Sequence, residues 1–186
     1  MRREDDHAIA AGQPAQCAAL TSLVNRIYAA SEGDIWLAGA AFERTSEEEM
    51  ERLLRAEEIL VGTRGSAVIG CIRWHFADSE QRVAEFGMLC VDEESRHMGL
   101  GSRLVRAAEL AATAAGCRMI ECELLVPRDG PHAAKDQMRS WYPSLGYSLA
   151  ADRTRPFEEI YPSLVKSFGL KRPSDCYFYE KALGEN

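Results

Sequence analysis

The stretch Leu89-Cys90-Val91-Asp92-Glu93-Glu94-Ser95-Arg96-His97-Met98-Gly99-Leu100-Gly101-Ser102 decides how this chain is read. It begins as the end of an apolar run, Val83 to Val91. It then passes through a short polar loop into a helix that starts at Gly99. The first N–H groups of a helix lack intrahelical partners and carry partial positive charge, so such a junction is suited to binding phosphate. Gly99 and Gly101 remove side chains where a ligand must approach the backbone. Three arginines (Arg96, Arg103 and Arg106) and no acid fall between Ser95 and Ala108, in a chain of net charge −7. Strand, loop, glycines and local positive charge together predict an anion site. A helix cap with a solvated basic face is the plainer reading of the same residues. A dinucleotide-binding loop fits poorly. It needs GxGxxG and an acid beyond the end of the next strand, but the third glycine is missing and Glu121 and Glu123 fall inside that strand.

Working outward, Leu100, Leu104, Ala107, Ala108 and Ala111 form an apolar stripe on a helix from Gly99 to Ala115, with Gly116 as its terminator. Met119 to Val126 reads as a strand, Ala133 to Leu145 as a helix and Tyr147 to Leu149 as a short strand. Cys176 to Glu180 reads as the last strand. Upstream, Ile9-Ala10 ends a first strand. Leu20, Leu23, Val24, Ile27 and Tyr28 mark a helix up to Ser31, and Ser46-Glu47-Glu48-Glu49 is a capping box opening a helix to about Ala56. Ile59 to Thr63 and Ala67 to Phe76, around Arg64-Gly65-Ser66, form a hairpin. A strand–helix–strand unit makes its strands parallel, whereas a hairpin makes them antiparallel. The prediction is an α/β (α+β) fold with a mixed, partly antiparallel sheet of about six or seven strands flanked by helices.

The 186 residues form one domain, 1–186, with 152–173 as an insertion long enough to be a substrate-side loop or short helix. The chain is 46% hydrophobic and 27% charged, which excludes wholesale disorder. Its acidic balance argues against nucleic-acid binding. No uncharged run approaches the ~18 residues of a membrane span, so no membrane association is expected. Met1 to Asp6 lack the apolar core of a secretory signal. The six cysteines form no CxxC pair and read as buried, reduced thiols of a cytoplasmic protein. The four scattered histidines predict no metal site.

Two segments carry a resemblance. Arg96-His97-Met98-Gly99-Leu100-Gly101 resembles the R/Q-x-x-G-x-G/A signature of the GNAT (GCN5-related) N-acetyltransferases. Trp141-Tyr142-Pro143-Ser144-Leu145-Gly146-Tyr147 resembles that family's aromatic-Tyr-x-x-Leu-Gly-Phe/Tyr element. The likeness covers about Ile9 to Lys181 and is tightest from Val83 to Tyr147.

The resemblance implies an acetyl-CoA-dependent N-acetyltransferase that acetylates a primary amine of a small molecule or peptide by direct transfer, with acetyl-CoA as co-substrate and no metal. The pyrophosphate would rest on Arg96, His97, Met98, Gly99, Leu100, Gly101 and Ser102. The backbone of Leu89 and Val91 would pair with the pantetheine arm and acetyl carbonyl, in a slot that a strand bulge opens. Tyr142 is the implied acid at the thiol. Dimers are common in the family, and Leu164 to Leu170 is a candidate apolar surface for a homodimer.

Glu85 is the candidate base, because a partly desolvated carboxylate has the raised pKa that task needs. Strict alternation puts it on one face with Gly87, Leu89 and Val91. Glu121 and Glu123 are alternatives.

Two residues depart from the pattern. Pro143 disfavours helical geometry at Tyr142 and predicts a kink there. Lys135 replaces the family's asparagine and reads as solvated. Both keep open a second reading, a non-catalytic acyl-CoA-binding regulatory module. Arg128, Arg153 and Arg155 are candidate carboxylate binders. Trp36 and Trp74 read as core.

Overall fold

The computed structural model describes residues 7–78, 80 and 82–184. The six N-terminal residues read for a secretory signal lie outside them. Strand β1 (His7–Ala11) and a 3-10 turn lead into helix α1 (Cys17–Glu32), and helix α2 (Glu47–Arg55) follows. Strands β2 (Ile59–Arg64), β3 (Ala67–Phe76) and β4 (Val83–Val91) form an antiparallel meander. Then come helix α3 (Leu100–Ala114), strand β5 (Met119–Pro127), helix α4 (Ala133–Ser144) and strand β6 (Ser148–Leu149). The 152–173 segment is structured, holding strand β7 (Arg155–Pro156) and helices α5 (Phe157–Ile160) and α6 (Pro162–Phe168). Strand β8 (Ser174–Ala182) closes the chain.

These elements have local causes. Ser46 Oγ accepts from the Glu49 N–H at 3.1 Å, and α2 carries acids in its first turn and Arg52 and Arg55 in its last, complementing the helix dipole. Leu20, Leu23, Val24 and Ile27 put one face of α1 into the core. Gly99 sits at φ +77° as the N-cap of α3, a conformation that favours glycine.

The sheet order is β1-β2-β3-β4-β5-β8-β6, with β7 also on β8, giving eight strands rather than six or seven. The short strand expected at Tyr147 to Leu149 is observed as β6; the further one is β7, a two-residue pairing that no periodicity could reveal. Among the described residues only β4 and β5 pair in parallel. One face packs on α3 through Phe86, Leu104, Ala108 and Ile120, and the other on α1 and α2 through Leu20, Met50, Val61 and Met88. A third cluster joins Trp36, Phe42 and Phe157 to β5 and β8. Each large side chain so buried contributes about 1.5–3 kcal/mol.

Candidate active site

The site follows from one irregularity in β4. Cys71 pairs with Cys90, but Arg73 pairs with Gly87, so β4 carries one extra residue. Met88 lies at φ +49°, and the Cys71 thiol donates to its carbonyl at 3.7 Å. The bulge inverts the alternation. Ala84 and Phe86 face α3, whereas Met88 and Cys90 face α1 and α2. Leu89 and Val91 pack with the α3 cluster, opposite to Glu85. The shared face expected for Glu85, Leu89 and Val91 is therefore wrong, because period-two counting fails across an inserted residue.

The bulge also ends sheet pairing. β4 pairs with β5 only from Val83 to Phe86, against Met119 to Cys122. Beyond this the strands part, and β5 continues along β8 to Pro127. Among the described residues no backbone ladder joins 87–91 of β4 to 123–127 of β5. The result is a slot between two parallel strands with backbone groups available along β4.

At one end the slot meets the start of α3. Asp92 caps the turn Glu93–Ser95 through Glu94 N–H at 3.3 Å and is held by Arg26 at 2.8 Å. His97 at φ +63° and Gly99 turn the chain into the helix. The first helical rung is Arg103 N–H to Gly99 C=O at 3.1 Å, so the N–H groups before it precede the ladder. A cavity of about 590 Å³ lies here, bounded by Leu89, Val91, Arg96, His97 and 99–102, with Ser31 of α1 and Trp141 of α4 opposite. Met98 does not line it; its sulfur takes Arg64 Nη2 at 3.6 Å. Nor is the arginine window what makes this end cationic. Arg103 donates to the His7 carbonyl at 2.7 Å, and Arg106 pairs with buried Glu109 at 3.2 Å. Only Arg96 of the three lines the cavity, so the backbone is its main donor.

At the other end a cavity of about 370 Å³ holds Glu85, Gly87, Leu89, Glu123, Tyr28 and Tyr142. α4 runs through Pro143, which falls in its last turn, so Tyr142 stays within the helix. Tyr142 is buried among Phe86, Tyr147 and Tyr179, with ring centroids 6.0, 6.1 and 5.3 Å away. Burial pushes its phenol well above the usual range, with Cys122 beside it, so it stays a proton donor. Glu85 is raised too, by burial first and then by Glu123 and Glu121. Glu121 is bound by Arg153 at 2.5 and 3.1 Å, and Glu123 accepts from Tyr161 Oη at 2.5 Å. Glu85 alone of the three has no ion pair or side-chain hydrogen bond among the described residues.

Several expectations change. Lys135 is not solvated; it is buried and its Nζ bonds Glu32 Oε1 of α1. Arg128 is taken by Glu158 and Asp175, Arg153 by Glu121, and Arg155 by the carbonyls of Asp152 and Thr154. These arginines brace the insertion. Trp36 is core, as expected, and also lines the cavity of Glu85 and Tyr142. All six cysteines are buried and stand outside any disulfide. Sequence reasoning missed Tyr28, Glu32 and Arg44, which line the same cavity. Tyr28 read only as one more apolar residue of a helix, and nothing local marks the other two.

A family model described as an acetyltransferase (GNAT) domain matches residues 55–149. No curated protein matches the chain. Among solved structures, YncA of Salmonella typhimurium, determined with its cofactor acetyl-CoA, is similar at a TM-score of 0.71 and 18% identity, over 97% of this chain and 95% of that one. Ribosomal-protein-alanine N-acetyltransferase of Brucella melitensis is similar at 0.69 and 16%, over 95% and 99%. N-acetylglutamate synthase of Neisseria gonorrhoeae, complexed with coenzyme A and N-acetyl-glutamate, is similar at 0.69 and 16%, over 98% of this chain and 36% of that one.

Proposed function

The chain belongs to the GNAT acetyltransferase family, and from that premise we propose that it is an acetyl-CoA-dependent N-acetyltransferase moving an acetyl group directly onto a primary amine. The observation that supports this reading is the slot: a bulge at Met88 frees the β4 edge, and two cavities that share Ile27, Ser31, Leu89, Ala134 and Met138 in their walls lie along it, one at the start of α3 and one at Glu85 and Tyr142. Unpaired N–H groups at the start of α3 suit a pyrophosphate, and the β4 backbone from Leu89 to Val91 suits the amides of a pantetheine arm.

Glu85 takes the proton from the acceptor ammonium, which its raised pKa favours. The freed amine nitrogen attacks the acetyl carbonyl carbon. The β4 backbone N–H groups beside the bulge stabilise the oxygen as it gains charge. The C–N bond forms and the C–S bond breaks; Tyr142 donates its proton to the departing sulfur and regains one from the proton that the nitrogen loses as the amide forms. Nothing in these steps needs a protein nucleophile, which agrees with the buried thiols.

The test mixes protein, acetyl-CoA and a panel of primary amines and follows free thiol and the acetylated amine together. Amine-dependent thiol release matched by product is expected. Tight coenzyme A binding with no release beyond hydrolysis on any amine would instead indicate the acyl-CoA-binding module.

A further inference from the structure

The transfer-end cavity contains three cations. Arg73 is bound to Glu58 at 2.7 Å, and Lys135 is bound to Glu32. Arg44 is different: it is half-buried, it lines the cavity, and no carboxylate pairs with it among the described residues. Its guanidinium carbon lies 5.7 Å from the centre of the Tyr28 ring. The segment carrying it is fixed on both sides. Thr45 exchanges hydrogen bonds with the Asn25 side chain at 2.9 and 3.0 Å, and Phe42 stacks on Trp36 at 4.8 Å. A held guanidinium in a partly desolvated cavity, lacking an anion, is suited to a bidentate carboxylate from a ligand.

The opposite charge lies elsewhere in the cavity. Arg44 lies over Tyr28 of α1, whereas Glu85 stands on β4, with Arg73 and Arg153 among the cations acting on it. Glu123 is occupied by Tyr161, and Glu43 is exposed at the rim. One free cation and one free carboxylate thus face one cavity from separate places. Its remaining wall is apolar: Trp36, Phe42, Phe157 and Phe168 form an aromatic cluster.

We propose that the acceptor is a free amino acid or close analogue with an apolar side chain, its carboxylate held by Arg44, its amine presented to Glu85 and its side chain against the aromatic wall. This rests on the N-acetyltransferase reading and narrows it. A diamine is disfavoured, because among the described residues the buried part of the cavity leaves no carboxylate unpaired except the one that must act as base, Glu43 being exposed.

The experiment compares apolar amino acids with their amides and their decarboxylated amines, by kcat/KM from thiol release. The acids should be preferred by about 10- to 100-fold, as charge-assisted hydrogen bonds to a carboxylate predict. Arg44→Gln should collapse that ratio towards one, acting mainly through KM for the acid, and Arg44→Lys should recover part of it. The thermal midpoint and the KM for acetyl-CoA report whether the fold and the cofactor end survive the substitution. Decarboxylated amines or diamines acetylated as well as the acids overturn the proposal, as does an Arg44→Gln loss equal for acids and amines. In those cases thiol release still upholds the acetyltransferase reading. Silence on every amine, acid or not, sinks both.

Discussion

Replacing Lys135 with Met tests whether the transfer site is braced across the slot by a buried charge pair. Lys135 of α4 and Glu32 of α1 are 3% and 8% exposed, so neither is compensated by water when its partner is lost. Removing one partner of a buried pair costs about 3–5 kcal/mol, a large part of the roughly 5–15 kcal/mol that holds a domain of this kind together. At about 2–4 °C per kcal/mol for a chain of this length, the thermal midpoint should fall by about 6–20 °C. Urea unfolding at neutral pH gives the free energy directly, with the midpoint shifting and the slope staying constant. The double variant Glu32→Met/Lys135→Met should recover most of the loss, because an apolar replacement of similar volume removes both desolvation penalties. A Lys135→Met variant within about 0.5 kcal/mol of the parent would mean that the lysine behaves as a surface residue, and the reasoning would fail. Additive effects of the two substitutions would refute the coupling separately.

Three further predictions concern the chemistry. Glu85→Gln should lower kcat/KM most near neutral pH and remove an acid limb centred above the ordinary carboxylate range. Because the folded state raises this pKa, the native protein binds the extra proton between the unfolded and folded values, and Glu85 loses stability as pH rises through that window. The variant should therefore be more heat-stable than the parent at neutral pH and equal to it at pH values below that window; a variant less stable at neutral pH would contradict the assignment. Tyr142→Phe should reduce kcat by about 10²- to 10⁴-fold, the usual span for a lost general acid, with the coenzyme A affinity retained; an unchanged kcat would remove Tyr142 from the acid role. Gly101→Glu should abolish coenzyme A binding, measured calorimetrically, with the thermal midpoint of the free protein preserved. A Cβ at Gly101 would meet the Trp141 ring at 3.7 Å, an ordinary contact, so the loss would come from a carboxylate placed at the anion end; retained affinity would refute that placement.

The strand–loop–helix junction of the proposed anion end was legible because it is local. A helix start, its glycines and the loop before it are contiguous from Asp92 to Ser102, and the unpaired N–H groups that suit a phosphate are a property of those few peptide units. The parallel pair β4–β5 was legible for a similar reason, since a strand–helix–strand unit leaves little choice of handedness or direction. Glu85 and Tyr142 were found as residue types in suitable strands and helices, but not their relation to each other. The arginine window misled: charge counted along the chain does not say whether a guanidinium faces the ligand or, like Arg103, a carbonyl 96 positions away.

What the sequence by itself determined is the order of the main elements, the mixed sheet and the strand–loop–helix junction before α3, all set by interactions between residues a few positions apart. Tertiary structure alone decided the bulge at Met88, the face on which Glu85 stands, the burial of Lys135 against Glu32 and the unpaired state of Arg44. Each of these depends on pairing across the fold. A single extra residue inverts every side chain beyond it, and a buried charge is tolerable only where a distant partner meets it.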